Sequence, residues 1–148
     1  MAKKFKIEGM KELERTFQRL GKVPQTVATK AARSGATILL KATRLKAPMD
    51  EGNLRKGLVI KRERRIVAGK TVYQVTFDRA MNDVFVGVSK DGKRSYYPAS
   101  QEYGYLTANG GYMPGDRFMR NAATDNAGSI ERKMVEVAGK AIDKAMKG

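Results

Sequence analysis

From Pro24 to Ala47 the chain reads PQTVATKAARSGATILLKATRLKA, a run whose only helix breaker is Gly35, and Pro48 follows at once. A proline pushes the residue before it out of helical dihedrals, so the helix predicted over 24–47 should stop at Ala47. Pro24 suits the first turn, where a missing N–H has no helical partner to lose. A rod of this length must be covered along one side. On a helical wheel Val27, Ala31, Ile38, Ala42 and Leu45 share one face, widened by Ala28, Ala32 and Leu39. The small residues Ala28, Ala31, Ala32, Gly35 and Ala36 predict close approach of a neighbouring helix or sheet. Lys30, Arg33, Lys41 and Arg44 fall in a narrow stripe on the far side. No acidic residue occurs between Arg15 and Met49, so the stripe lacks the i,i+4 partners that solvated helix faces usually carry. It reads as a surface that meets something negative.

The remaining segments follow the order helix, helix, antiparallel strands, helix. Met10, Leu13, Phe17 and Leu20 recur at helical spacing before Gly21, which predicts a helix over 10–20. Beyond Pro48, MDEGNL is a turn in which Gly52 is free to take positive φ. LRKGLVIKRERRIV and KTVYQVTF predict strands over 57–66 and 70–77, joined by a hairpin turn at Ala68-Gly69-Lys70. DVFVGVS predicts a third strand over 83–89. A fourth, over 95–102, is kept short or at an edge by Pro98. Residues 104–115, rich in glycine and tyrosine, predict a long mobile loop. The last segment predicts a helix over 117–146 with a break near Asn126-Ala127-Gly128. Its apolar face is Ile130, Met134, Val137, Ala138, Ala141 and Ala145. The whole reads as one α+β domain over 1–148, with helices packed on an antiparallel sheet of about four strands.

Charge narrows the function classes. Thirty Lys+Arg against fifteen Asp+Glu give a net charge of +15. Such a chain repels itself and attracts polyanions, whether nucleic acid, an acidic protein surface or anionic lipid. Besides the helix stripe, Arg55, Lys56, Lys61, Arg62, Arg64 and Arg65 form a basic cluster around the first strand. The chain has no cysteine, which excludes disulfides and thiolate chemistry, and no histidine, which removes the usual base of hydrolytic triads. The candidate acids Asp78, Asp83 and Glu102 show no spacing that announces a metal site. No catalytic residue, cofactor or metal is assigned, and an enzyme is not expected. The opening MAKKFKIEGM lacks the apolar stretch of a signal peptide, and runs such as ATILL are too short to span a bilayer, so no membrane partner is expected. No recognition-helix, zinc or RNA-binding signature appears, so nucleic-acid binding would be sequence-independent and would weaken steeply with salt.

Taken in order, IEGMKELERTFQRL, the alanine-rich helix with its Ala-Pro end, YYPASQEYG and DRFMRNA resemble a family of small tailed-phage proteins. These are the tail-completion or neck (head–tail joining) proteins of the lambdoid small tail-component type. In that family a helix ends in Ala-Pro, followed by Asp-Thr-Gly, one residue, and Leu-Arg. Here Ala47-Pro48, Met49, Asp50-Glu51-Gly52, Asn53 and Leu54-Arg55 stand at those places. A Tyr…Glu-x-Gly pattern is matched by Tyr97 and Glu102-Tyr103-Gly104, and a Pro-Phe-x-x-Pro-Ala helix start by Phe118 and Ala122. The chain departs from the family at Glu51, where threonine is usual, and at Asp116-Arg117 and Asn121, where prolines are usual.

The resemblance implies a structural virion protein at the head–tail junction, made in the bacterial host cytoplasm. It further implies a cyclic homo-oligomer touching neighbouring neck and tail proteins, with packaged DNA in the channel as a further partner. Within the turn motif, Asp50 is expected to cap local N–H groups, Leu54 to enter the core and Arg55 to support the turn. The competing expectation is a sequence-independent nucleic-acid-binding protein that uses the basic helix stripe.

Overall fold

The computed structural model describes residues 23–49, 51–64 and 70–147. The expected helix over 10–20, Asp50, Arg65 and the turn residues Ala68 and Gly69 lie outside them. Helix α1 spans Val23–Lys46, and the last helix, α5, spans Phe118–Lys147. Between them lie the short helices α2 (Asn53–Gly57), α3 (Asn82–Phe85) and α4 (Tyr97–Tyr103). The strands are β1 (Leu58–Arg62), β2 (Tyr73–Phe77), β3 (Val86–Val88), β4 (Arg94–Tyr96), β5 (Gly104–Leu106) and β6 (Tyr112–Pro114). The α+β class holds.

α1 and α5 pack antiparallel. Lys46 Nζ lies 2.8 Å from Asp125 Oδ2 near the α1 C-terminus, while Gly35 faces Ile130 and Met134 further along. A Cβ at Gly35 would sit 2.7 Å from the Met134 sulfur, so the small residue sets how closely the helices approach. The buried line on α1 is Val27, Ala31, Gly35 and Thr43, with Leu39 half-buried between them, and it continues to Ala47 just past the helix end. These positions form one i,i+4 ridge, the row that commonly fills a groove on a partner helix. Such a ridge drifts around the helix by about 40° per step. A straight face drawn on a wheel therefore fails by the far end. Leu45, expected inside, is 77% exposed. The apolar residues Ile130, Met134, Val137, Ala138, Ala141 and Ala145 of α5 are all half-buried. α5 runs unbroken through Asn126-Ala127-Gly128, where Asn126 Nδ2 donates to the Ala122 carbonyl at 2.9 Å.

A single four-stranded sheet does not form. Among the described residues the strands make three separate antiparallel ribbons, β1–β2, β3–β4 and β5–β6. Helical turns inserted between them are the reason. Asp78 accepts from the Ala80 N–H and starts a 3-10 turn that leads into α3, so the segment over 83–89 is strand only at Val86–Val88. Pro98, read as limiting a strand, instead lies in the first turn of α4, where a missing N–H costs nothing. The segment over 104–115 is the β5–β6 hairpin, with Gly104 opposite Pro114 and Leu106 opposite Tyr112.

The core sits where the α1 C-terminus, β1–β2, α3 and the start of α5 converge. Ala47, Leu54, Leu58, Phe77, Phe85 and Phe118 form one buried cluster. Phe77 meets Phe85 and Phe118 edge to face, with ring centroids 5.5 and 6.3 Å apart, as aromatic quadrupoles favour. In β1–β2, Leu58 pairs with Phe77 and Ile60 with Val75, which places the inward residues as alternation predicts. Gly57 leaves room for Phe85, whose ring would lie 2.5 Å from any added Cβ.

Candidate functional site

The residues singled out in the sequence fall into a buried joint and two exposed surfaces. The joint takes the motifs. Ala47 and Leu54 are buried on either side of the turn, and Gly52 holds φ 77°, a left-handed conformation that suits glycine. The space around a Cβ at Gly52 is open, so dihedral angle alone selects the residue. Pro48, Gly52, Leu54 and Tyr97 line a small cleft of about 220 Å³ with Glu51, Asn53 and Val84.

Glu102 is buried, and its carboxylate accepts hydrogen bonds from the Met119 and Arg120 N–H groups at 2.9 and 3.1 Å. These are first-turn donors of α5 that lack intrahelical partners, and the negative charge opposes the positive end of the helix dipole. The backbone reinforces the contact, because Asp116 N–H donates to the Gln101 carbonyl and Arg117 N–H to the Glu102 carbonyl. Gly104, at φ 89°, allows this crossing, since a Cβ there would strike the Met113 carbonyl. Phe118 and Ala122 fill the core directly behind the cap. Thus the Glu-x-Gly and Phe…Ala motifs are two halves of one joint.

Two positions where the resemblance lapses, Arg117 and Asn121, have backbone geometry that disfavours proline. Arg117 holds φ 51°, a dihedral proline cannot adopt. Asn121 donates its N–H to the Arg117 carbonyl at 2.9 Å, a bond proline would lack.

The candidate acids are employed structurally or stand on the surface. Glu102 is the α5 cap, Asp78 caps the 3-10 turn, and Asp83 is exposed. Among the described residues there is no cluster of three or more metal-ligating side chains, and no helix is long and apolar enough to cross a membrane.

The first exposed surface is basic. Lys30, Arg33, Lys41 and Arg44 are all exposed, and none takes part in the ion pairs found among the described residues. Arg44 has a structural task as well, donating from Nη2 to the Leu58 carbonyl at 2.9 Å. Arg55 does not join the strand residues. It leans toward the end of α1, with Nη2 3.5 Å from the Leu45 carbonyl, and its buried Nε has no acceptor among the described residues. Lys41, Arg44, Leu45 and Arg55 together line an open cleft of about 320 Å³. Sequence reading placed Lys41 and Arg44 in one group and Arg55 in another; the fold of the turn brings them together. Lys56, Lys61, Arg62 and Arg64 remain exposed on α2, β1 and the residues just after it.

The second surface, read as a mobile loop, is the β5–β6 hairpin. Tyr103, Tyr105, Leu106, Tyr112 and Met113 are all exposed, Leu106 by 79%. The signal was present in the sequence: residues 103–115 carry no charge in a chain that is 30% charged. The hairpin is nonetheless well mounted. The Tyr112 hydroxyl donates to the Tyr103 carbonyl, and Thr107 N–H donates to the Gly111 carbonyl at 2.8 Å across the turn.

On the far end of α5, Glu136 lies 3.0 Å from Lys140 and 3.7 Å from Lys133. The Lys140 hydrogen bond, with the charges of both lysines, holds the Glu136 carboxyl below its ordinary range. That contribution is present above the ordinary glutamate pKa and is lost as pH falls through the lowered value. The group is fully exposed, so it is a minor support.

Comparison with family models, with curated proteins and with solved structures finds no match to this chain.

Proposed function

We propose that the protein is a structural subunit of a tailed bacteriophage or prophage virion, acting in tail completion and head–tail joining as part of a neck or tail-end ring. One observation carries the reading. Several of the motif residues that resemble the family, far apart in sequence, meet at a single joint: Ala47, Leu54 and Phe118 share one core cluster, and Glu102 caps the helix that Phe118 begins. Motif residues that serve the scaffold, and leave the outer surface free to make contacts, fit a protein whose work is assembly. The exposed basic stripe supports a polyanionic neighbour, either an acidic face of an adjoining ring or the DNA that passes through it. The same stripe keeps a second reading in view, that of a sequence-independent nucleic-acid-binding protein.

Reversing Lys30, Arg33 and Lys41 to glutamate together separates stripe from fold. Arg44 is left in place because it holds the Leu58 carbonyl. The expected result is filled heads and unattached tails, with an unchanged circular dichroism spectrum of the purified variant. A normal yield of infectious particles would contradict the proposal.

A further inference from the structure

Two copies of a chain with net charge +15 repel one another, so they can meet closely only where charge is absent or screened. The β5–β6 hairpin is such a place: its thirteen residues 103–115 are neutral, and its large side chains face outward. Both long edges of this ribbon also lack a strand partner among the described residues, which leaves carbonyl acceptors along them. The cleft lined by Lys41, Arg44, Leu45 and Arg55 has the opposite chemistry. It is lined by three cationic side chains around the exposed Leu45, and each of the three charged heads carries donors and no acceptor atom of its own. Tyrosine faces and uncharged carbonyls suit guanidinium and ammonium groups, and they add no charge to a crowded positive surface.

We propose that the hairpin of one subunit docks in the Lys41–Arg44–Leu45–Arg55 cleft of a second copy. Because hairpin and cleft are different surfaces, the contact is heterologous. It propagates from copy to copy and closes into a ring when the rotation allows. This rests on the ring reading above and names the surface that makes it.

The absence of cysteine makes the test clean. Leu45→Cys and Leu106→Cys both replace exposed leucines, so neither disturbs the core. Under mild oxidation of the purified protein, the double variant should give a ladder of covalent oligomers. A mixture of the two single variants should give covalent dimers, and each single variant alone should stay monomeric on a denaturing gel. Dimers from Leu106→Cys alone would mean that hairpins meet hairpins and would overturn the proposal. Absence of cross-links in every variant would overturn it too. If double-stranded DNA then bound the protein and Arg55→Gln weakened that binding, the cleft would belong to nucleic acid. None of these outcomes bears on whether loss of the protein leaves heads and tails unjoined, so this contact and the junction role fail separately.

Discussion

Phe118→Ala is expected to lower stability by about 4 kcal/mol, a loss typical of truncating a buried aromatic ring. Phe118 is 1% exposed, sits edge to face with Phe77 and belongs to the cluster that joins the turn after α1 to the start of α5. Removing the ring leaves a cavity bordered by β2 and α5, elements too constrained to collapse fully into it. Since a small domain is stable by roughly 5–15 kcal/mol in total, the variant should be close to unfolding at physiological temperature. Phe118→Leu keeps most of the volume and should lose about 1.5 kcal/mol or less. Urea denaturation of the two variants measures the difference. Equal and small losses would show that the ring is not a keystone of the core.

Glu102→Ala should come second, at about 3 kcal/mol. The carboxylate serves two N–H groups at once, and hydrogen bonds to a charged acceptor are worth roughly 1.5–3 kcal/mol each before non-additivity is allowed for. Alanine would leave both donors without their charged acceptor at a partly buried helix start. Glu102→Gln should lose about half as much, because the amide keeps one acceptor oxygen but turns an N–H₂ group toward the other donor. The readout is the urea midpoint, together with hydrogen exchange of the Met119 and Arg120 amides, which should accelerate in the alanine variant. Unchanged protection of those amides would mean that α5 does not depend on the cap.

Much of the scaffold was legible because its signals are local. The run before Pro48, interrupted by no breaker except Gly35, specified α1 within a residue at either end. Alternation specified the register side of Phe77 and Val75 in β2. Signals that depend on distant partners were not legible. Glu102 stands out in the sequence as a candidate acid and as part of the Tyr…Glu-x-Gly pattern, but its role as a helix cap depends on the chain folding back to place it under the first turn of α5. Leu45 reads as core because a wheel assumes a straight contact line, whereas α1 and α5 meet along a winding ridge. The four-stranded sheet failed for a related reason. Val86–Val88 and Arg94–Tyr96 carry strand-like patterns, but Asp78 and Pro98 start helical turns that keep each ribbon apart.

The interaction surfaces were half legible. The basic stripe was visible as four unpartnered cations on one side of a helix, and all four are exposed. That Arg55 leaves its strand-side neighbours and joins Lys41 and Arg44 could not be read from spacing, because it depends on how the Gly52 turn redirects the chain. The hairpin was recognised as a glycine- and tyrosine-rich segment but read as mobile. The structure gives it strand pairs, Tyr105–Met113 and Leu106–Tyr112, which the glycines and tyrosines of the segment had not signalled.

The central claim is that this protein joins heads to tails. The most direct measurement is deletion of its reading frame from the genome that carries it, followed by electron microscopy of the particles in the lysate. The account predicts filled heads beside separate tails, or tails with an aberrant end, and restoration of joined particles when the intact protein is supplied in trans. Joined, infectious particles from the deletion strain would contradict it.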